Sequence, residues 1–458
     1  MRSKTASESW VRTSAMETIA GRTLSAYRSR FLRDGAMLAT GSLIAQALAI
    51  LTAPIMARLY DPEAYGLLGL FIAVYGILTV PAIMQYNQAV ILPKDDGDSL
   101  AIMKGGLLLG LITTAIVFAI CTLPTEEIFA GTKYAPLIPW MPLMFAMVLP
   151  GCLTTFAMSW LARKQQFRAL SVIRIVINIT STSVGMGIGL WQRNIWGLLI
   201  GNAAGSWVGT ALLLYAMKKS SGLEFINAEW KLVKSQMFLH RDFALFATPT
   251  QLILQFTRQA PVLLLTGFVG QSAVGFFNMS NRLLGLPNTL FAESLSAVFH
   301  QRAAKEYAET GQCYQLYKKM TLGMLAVVIP FLTIVAVIAP DLFAVLLGER
   351  WRVAGDYSRI LCWLFAFQLV CTPLYSMMII AKRQREDLCV QIISAICLLA
   401  SIWLAYQVFG TTTAVLVGYV IGSSAMYLYY GIRGLRLAKG YSTVSCLSAP
   451  NVPTSRVQ

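Results

Sequence analysis

The chain contains 458 residues, of which 56% are hydrophobic and 13% charged, and its mean hydropathy is +0.62. Soluble globular proteins carry about 25% charged residues, so this composition excludes a soluble protein and indicates an integral membrane protein. The net charge of +16 does not indicate nucleic-acid binding, because the Lys and Arg residues lie between apolar segments rather than on one contiguous face.

The residue types that build metal sites, disulfide frameworks and catalytic centres are sparse. The eight cysteines are scattered, mostly within apolar segments, without a CxxC pair, and only two histidines occur, His240 and His300. This spacing predicts no metal site and no structural disulfides. Because the sequence also lacks a Walker loop, a nucleotide fingerprint and a nucleophile paired with a base, we expect neither an enzyme nor a cofactor.

Residues 1–33 precede the apolar part of the chain and are rich in Arg and Ser. Their composition is similar to that of an organelle transit peptide, and they contain no secretory apolar region. We interpret them as a basic cytoplasmic tail, since such tails commonly set the orientation of the first membrane helix.

From Ala36 onward, twelve apolar segments predict an all-α fold of twelve transmembrane helices. They lie near 36–57, 65–90, 100–123, 136–162, 171–190, 195–217, 243–268, 273–299, 319–340, 356–381, 388–409 and 411–432. With the N-terminus in the cytoplasm, 27 of the 37 Lys and Arg residues fall in cytoplasmic loops and tails, and five fall on the opposite side. This positive-inside asymmetry predicts that both the N- and C-termini are cytoplasmic.

A short repeat divides the chain into halves. Residues Arg33 to Thr40 match Arg241 to Thr248 at five of eight positions, with an offset of 208. Because six apolar segments separate the copies, the pattern predicts two six-helix lobes related by a pseudo-two-fold axis along the membrane normal. The predicted divisions are the tail 1–33, an N-lobe 34–217, a cytoplasmic connector 218–242, a C-lobe 243–434 and a C-terminal tail 435–458.

The connector contains Trp230 and Phe238 among lysines. This composition is typical of a segment that lies on an anionic membrane leaflet, and equally of a plain solvated linker.

The predicted span near 243–268 combines an apolar sequence with a polar stripe. Thr248, Gln251, Gln255, Arg258 and Gln259 are spaced three or four residues apart, which places them on one side of a helix. A guanidinium at mid-membrane is costly and keeps its charge, so Arg258 should face a protein interior or a wet cavity. With no acid nearby in sequence, the stripe predicts a site for an anionic guest that carries sugar hydroxyls. Packing against polar groups of neighbouring helices is the alternative.

Further candidate substrate-binding residues occur on other spans. They are Asn278, Asn281 and Arg282 on span eight, Arg174 on span five and Gln46 on span one. Span eight repeats the polar stripe of span seven. Arg174 lies near the end of its span, so the alternative to substrate binding is that its side chain snorkels to the membrane surface. The polar cluster from Gln85 to Gln88 ends span two, and we interpret it as interfacial.

Residues 53–66, which read Ala-Pro-Ile-Met-Ala-Arg-Leu-Tyr-Asp-Pro-Glu-Ala-Tyr-Gly, resemble the bacterial polysaccharide exporters (O-antigen flippase-like proteins) of the multidrug/oligosaccharidyl-lipid/polysaccharide (MOP) superfamily. In that family, a small-Arg-Leu turn ends span one and Pro-Glu-x-Tyr-Gly opens span two. The family's twelve spans match the region from Arg33 to Gly434. The long basic N-terminus departs from the compact start of the family.

The resemblance implies a flippase in the bacterial inner membrane. Its substrate would be an undecaprenyl-pyrophosphate-linked oligosaccharide, an O-antigen or exopolysaccharide repeat unit, moved by alternating access. Arginines of a central cavity hold the anionic headgroup in that family, and Arg258 and Arg282 would be their counterparts in role. The expected partners are the lipid-linked glycan, membrane lipids and a glycan polymerase or glycosyltransferases of the same pathway, without nucleic acid.

Three other functions stay open. A multidrug or organic-cation antiporter of the same superfamily is disfavoured by the Arg-rich, acid-poor interior, because cationic guests need carboxylates or aromatic cages. A membrane glycosyltransferase, polymerase or ligase would carry large external catalytic loops, and the sequence contains none. A non-transporting assembly factor is the third. The sequence specifies neither the glycan, nor the energy source, nor the oligomeric state.

Overall fold

The structure is a computed structural model, and it describes residues 41, 43–121, 127, 131–288, 293–381 and 383–440. Within these residues the regular secondary structure is helical, without strands. Hydrocarbon offers no partner to a backbone N–H or C=O group, so an apolar segment pairs these groups internally by forming a helix. The predicted N-terminal tail, the first repeat copy from Arg33 to Thr40 and the part of the C-terminal tail after residue 440 lie outside the described residues.

The described helices follow one another closely along the chain. They are α1 (Leu43–Leu59), α2 (Pro62–Ile83), α3 (Tyr86–Ala89), α4 (Asp96–Cys121), α5 (Met141–Arg163), α6 (Phe167–Trp191), α7 (Ile195–Lys219), α8 (Trp230–Leu239), α9 (Thr248–Phe268), α10 (Gln271–Leu284), α11 (Glu293–Thr310), α12 (Tyr314–Leu347), α13 (Arg352–Leu374), α14 (Ser376–Ile380), α15 (Gln384–Phe409) and α16 (Thr412–Ala438). Short 3₁₀ turns at Ala135–Trp140, Gly222–Asn227 and Glu349–Trp351 and a π-helical turn at Phe243–Ala247 join some of them.

Nine helical segments in the described part of the chain are long and apolar enough to cross a membrane. They are Pro62–Ile83, Asp96–Ala119, Ala135–Arg163, Phe167–Trp191, Ile195–Lys219, Tyr314–Leu347, Glu349–Ile380, Cys389–Phe409 and Thr412–Ala438. These nine confirm the prediction of an all-α membrane protein with many spans.

The predicted spans near 243–268 and 273–299 are not among the nine. The first contains α9, whose polar stripe lowers its mean hydropathy, and the second is divided between α10 and α11. Helix α1, Leu43–Leu59, is apolar and shorter than the nine. The total of twelve spans therefore stays a prediction.

The chain divides into two compact units by its internal contacts. The first takes its described residues from Met1–Met279 and Leu342–Ala354, and the second from Ser280–Asp341 and Gly355–Gln458. This division differs from the predicted lobes 34–217 and 243–434, because α9 and the first part of α10 pack against α2. The six-plus-six lobe arrangement stays a prediction.

Glycines on α2 and α10 explain why the first part of α10 belongs to the first unit. A side chain on Gly66 would overlap the Gln271 backbone, and one on Gly275 would overlap the Pro62 carbonyl oxygen. Small residues let membrane helices approach closely, and the gain in van der Waals contact holds them together where no hydrophobic driving force acts.

The connector between α7 and α9 is docked on the first unit. Lys104 on α4 donates from Nζ to the carbonyl oxygens of Ile226 and Ala228, each at 2.8 Å, and its ammonium lies 4.5 Å from the ring centre of Trp230. The Tyr86 hydroxyl donates to the Met237 carbonyl oxygen at 3.2 Å. The described connector is therefore held by specific contacts to α3 and α4, which a free linker would lack.

In the second unit, α15 and α16 form a close antiparallel pair. Gly418 and Gly422 on α16 face Ser401 on α15, and the Ser401 hydroxyl donates to the Gly418 carbonyl oxygen at 2.9 Å. The pairing again follows from small residues at the helix interface.

Candidate functional site

The candidate site lies in the first unit, where the end of α2 meets the start of α9. Helix α2 ends in two consecutive left-handed residues, Met84 (φ 48°) and Gln85 (φ 54°), which turn the chain into the short α3. A left-handed residue with a β-carbon costs about 1 kcal/mol or more, so two in succession need support from their surroundings. Burial of Gln85, which is 9% exposed, supplies that support.

The start of α9 is irregular as well. Residues Phe243–Ala247 form a π-helical turn, and the Thr248 hydroxyl donates to the Phe243 carbonyl oxygen at 3.0 Å, five residues back. Single π-helical turns are frequent at functional sites, because they rotate the side chains away from regular helical positions.

An open cavity of about 440 Å³ lies between these two irregular segments. It is lined by Gln85, Gln88, Asp242, Phe243, Phe246, Ala247, Thr250 and Gln251. We call this set the glutamine cavity. The Gln88 side-chain amide donates to Gln85 Oε1 at 2.7 Å, which orients both amides.

The surface of the glutamine cavity is mostly apolar, with a few polar groups at its edge. Its lining contains amides, one hydroxyl and two aromatic rings, and Asp242 is the one ionisable lining group. Arg241 precedes that acid, but its guanidinium lies over the Phe238 ring at 4.4 Å from the ring centre. The cavity therefore carries acidic rather than basic charge.

Two glutamines of the predicted stripe pack against α2. A β-carbon on Gly76 would lie 2.6 Å from Gln255 Nε2 and 3.9 Å from Gln259 Nε2. Asn278 on α10 likewise occupies the space beside Gly69. The structure thus brings these three predicted residues together along one glycine-lined side of α2.

Arg258 differs from its stripe neighbours. Its side chain is exposed, about halfway along α9, and it makes no hydrogen bond or ion pair with another described residue. Gln251, Gln255 and Arg258 share one side of α9 by their spacing. At 1.5 Å per residue, Arg258 lies about 10 Å further along the helix than Gln251.

The remaining predicted residues lie elsewhere. Arg282 and Asn281 belong to the second unit, whereas Arg174 and Gln46 belong to the first. Arg174 is exposed on α6, and its carbonyl oxygen accepts from the Asn178 amide at 3.0 Å. Gln46 is half-buried on α1. Neither of them is a lining residue of the glutamine cavity.

Sequence reasoning missed most of the cavity lining. The sequence predicts Gln251 as a binding residue and Gln85 and Gln88 as interfacial residues, and it indicates no binding role for Asp242 or Phe246. The available signal was the break in apolar sequence after Pro81, where four polar or aromatic residues precede a return to apolar ones. No pattern indicated that this break lies beside α9.

The second unit contains a separate polar cluster at the start of α15. Glu386 forms a two-pronged ion pair with Arg433 of α16, with Nη2 donating to Oε2 at 2.9 Å, and accepts from the Tyr429 hydroxyl at 2.9 Å. The Arg433 guanidinium holds the pKa of the Glu386 carboxyl below its usual value, against the effect of burial.

The neighbouring Asp387 is held by neutral donors. It accepts from the Tyr375 hydroxyl at 2.6 Å, the Tyr430 hydroxyl at 2.7 Å and the Gln391 amide at 2.9 Å. These bonds tie the start of α15 to α16 and to the break between α13 and α14. Among the described residues, no three His, Cys, Asp or Glu side chains are grouped so that they could hold a metal ion.

Comparison with protein families supplies independent information. A family model described as "Polysaccharide biosynthesis protein" matches residues 55–356. The succinoglycan biosynthesis transport protein ExoT of Rhizobium meliloti (strain 1021) is 22% identical over 315 residues, which cover 67% of this chain and 60% of ExoT. The chain thus aligns with less than two thirds of the length of this curated relative.

Two solved structures are similar in fold. An inward-facing multidrug resistance MATE family transporter of the MOP superfamily gives a TM-score of 0.65 at 15% identity, covering 87% of this chain and 96% of its own. The lipid II flippase MurJ, in an inward closed conformation, gives a TM-score of 0.68 at 14% identity. The match covers 88% of this chain and 90% of the MurJ chain. At these identities the likeness shows a common fold.

Proposed function

We propose that this chain, which belongs to the polysaccharide biosynthesis protein family of exporters and flippases in the MOP superfamily, moves a lipid-linked oligosaccharide across a bacterial inner membrane. The substrate we propose is an undecaprenyl-pyrophosphate-linked repeat unit of an O-antigen or exopolysaccharide, carried from the cytoplasmic to the periplasmic leaflet by alternating access. A glycan polymerase and glycosyltransferases would act on the same pathway. Both termini would be cytoplasmic.

The observation that carries this proposal is the exposed guanidinium of Arg258, halfway along α9. A charged side chain at mid-membrane costs about 2.5–3.5 kcal/mol or more, and Arg cannot shed its proton to avoid that cost. No described carboxylate neutralises it. A pyrophosphate would satisfy it, because the planar guanidinium binds phosphate oxygens through two parallel hydrogen bonds.

The glutamines beside Arg258 support the same guest. Gln251 borders the glutamine cavity, and Gln255 lies one turn beyond it against α2. Amides donate and accept hydrogen bonds without adding charge, so they suit the hydroxyl groups of a glycan attached to the pyrophosphate.

The alternative function, an organic-cation antiporter, requires a binding site that attracts a positive charge. The exposed Arg258 guanidinium repels a cationic guest. The Asp242 carboxylate and the two phenylalanine rings of the glutamine cavity, in contrast, are groups that a cation can bind. Arg258 is therefore the described residue that favours a glycan-lipid function over drug transport.

Substitution of Arg258 tests the proposal. In cells that depend on this protein, Arg258→Gln should reduce surface glycan at least about tenfold, while Arg258→Lys keeps part of it because a point charge binds phosphate less specifically. The matched control is Arg193→Gln, an exposed arginine in the turn between α6 and α7. Surface glycan is compared at equal membrane protein level, together with lipid-linked glycan retained inside the cell.

Unchanged glycan display with Arg258→Gln would remove the observation on which the proposal depends. Export of an organic cation by the wild-type protein, without any effect on lipid-linked glycan, would favour the antiporter.

A further inference from the structure

The glutamine cavity carries a negative charge and Arg258 a positive one, so the two suit different parts of a substrate. The lining of the cavity carries one acid, Asp242, and no Lys or Arg. A pyrophosphate would meet repulsion there. Arg258 lies on the same side of α9 but two turns away, and it supplies the cation that the cavity lacks.

The cavity lining is mostly apolar and adds a few hydrogen-bonding groups, a combination that a sugar ring can use. Gln88 and Gln251 offer amide donors and acceptors, Asp242 offers carboxylate acceptors, and the two phenylalanines offer apolar ring faces. Phe246 is 69% exposed, so its ring is open to a guest. Sugar rings combine hydroxyl edges with apolar C–H faces, and pockets that pair amides with aromatic rings match both.

The volume and the backbone of the cavity support a preformed site. About 440 Å³ lies within the range of roughly 300–1,000 Å³ that is usual for small-molecule sites. Two left-handed residues on one side and a π-helical turn on the other hold its walls in irregular conformations. Such local strain persists only where the surroundings enforce it, and it clusters at functional sites.

The spacing along α9 matches the covalent order of a glycan lipid. Gln251 and Arg258 are seven residues apart, or about 10 Å along the helix axis. In a lipid-linked glycan the pyrophosphate is bonded directly to the first sugar, so the two groups lie within that range. One molecule can therefore place its sugar in the cavity and its pyrophosphate at Arg258.

We infer that the glutamine cavity binds an uncharged sugar ring of the lipid-linked glycan, next to the pyrophosphate held by Arg258. The inference rests on the proposed function and adds to it a separate glycan subsite formed by the first unit alone. The orientation predicted from the sequence puts this subsite at the cytoplasmic end of α9, where a substrate would first be met.

The test compares two lipids that differ only in the sugar. The probes are undecaprenyl pyrophosphate carrying a disaccharide and undecaprenyl pyrophosphate without sugar, bound to the full-length protein in lipid nanodiscs. Gln251→Leu and Gln88→Leu should each weaken binding of the glycan-bearing probe roughly three- to tenfold, the loss expected for one or two hydrogen bonds. Binding of the sugar-free probe should stay unchanged.

A matched control and a charge variant complete the design. Gln301→Leu replaces an exposed glutamine on α11, outside the cavity, and should leave both affinities unchanged. Asp242→Asn should leave the sugar-free probe unaffected, because the pyrophosphate binds elsewhere. Equal thermal melting temperatures of the variants and the wild type establish that each variant is folded.

The outcomes separate the two proposals. Equal losses for both probes, or no loss for either, would overturn the glycan subsite while leaving the flippase proposal intact. Tighter binding of the sugar-free probe by Asp242→Asn would place the pyrophosphate in the cavity and overturn the inference. A wild-type protein that binds neither probe would overturn the proposed function, and the subsite with it.

Discussion

The Trp351 indole donates from Nε1 to the carbonyl oxygen of Ala57 at 2.8 Å, across 294 residues of sequence. Trp351 is 1% exposed, and its ring also meets the Tyr65 ring edge-on at 5.3 Å. Arg350 pairs with Asp61 beside them. The motif from Ala53 to Gly66, which carries the resemblance to the polysaccharide exporters, thus serves as a packing surface within the first unit.

Loss of the indole donor should destabilise the first unit. Trp351→Phe keeps an aromatic ring but leaves the buried Ala57 carbonyl without its side-chain donor, so we expect a loss of about 1–3 kcal/mol. Trp351→Ala should cost more, about 3–5 kcal/mol, because it adds a cavity. The measurement is thermal unfolding in detergent, with Trp191→Phe as the control, since Trp191 is 86% exposed. Equal melting temperatures for Trp351→Phe and the control would contradict the prediction.

The contact of α2 with α10 should not tolerate a β-carbon. In Gly66→Ala, the added methyl group overlaps the Gln271 backbone, which cannot move as a flexible side chain would. We expect overpacking to cost about 1–3 kcal/mol and to lower the folded yield in membranes.

Gly187→Ala on α6 is the matched control for this contact. Gly187 has open space around it, and Ala has a higher helix propensity than Gly, so the substitution should be neutral or stabilising by up to about 1 kcal/mol. A Gly66→Ala protein as stable as Gly187→Ala would show that α2 and α10 do not approach as closely as described.

The ion pair of Glu386 with Arg433 should make the second unit sensitive to acid. The pKa of Glu386 is lowered in the folded protein, so the stabilisation is complete above the unfolded value near 4.5 and is lost as the pH falls through the folded value. Both side chains are mostly buried, at 22% and 14% exposed, and we expect a contribution of about 1–2 kcal/mol.

The contribution of Glu386 to the pH dependence of stability is obtained by comparing the wild type with a variant that cannot ionise at this position. Melting temperatures of the wild type and Glu386→Gln are measured from pH 7 to below pH 4. The wild type should be more stable above pH 5, and the two curves should converge in acid, because Gln does not titrate. Coincident curves over the whole range would show that the ion pair does not stabilise the fold.

The connector between α7 and α9 should open more often when the Lys104 side chain no longer holds it. Lys104→Ala deletes two charge-assisted hydrogen bonds, to the carbonyl oxygens of Ile226 and Ala228, and the contact with the Trp230 ring. Trypsin cleavage after Lys231 or Lys234 should become about five- to tenfold faster, because local opening rises with the free energy lost.

Lys305→Ala is the control for that digestion. The Lys305 side chain is 78% exposed and forms a weak ion pair at 4.0 Å with Glu309, which is 63% exposed. Its removal should leave cleavage in the connector unchanged. If Lys104→Ala were cleaved no faster than this control, the contacts of Lys104 would not restrain the connector.

The sequence by itself determined the features that depend on residues close together in the chain, such as membrane helices and their polar faces. Apolar segments of about 20 residues specify membrane helices, since backbone groups in hydrocarbon must pair within each segment. The three- and four-residue spacing of Gln251, Gln255 and Arg258 specifies a common helix face. The motif at residues 53–66 indicated the family, which the match over residues 55–356 confirmed.

Only the tertiary structure decided which of these faces meet. The glutamine cavity joins Gln88 to Gln251 and Asp242, residues about 150 positions apart, and it exists because a left-handed turn at Gln85 lies beside a π-helical turn. The Trp351 bond to Ala57 and the docking of α9 on α2 also join residues that are far apart in sequence. Contacts of this kind depend on the close packing of glycine-lined helices, which local periodicity does not specify.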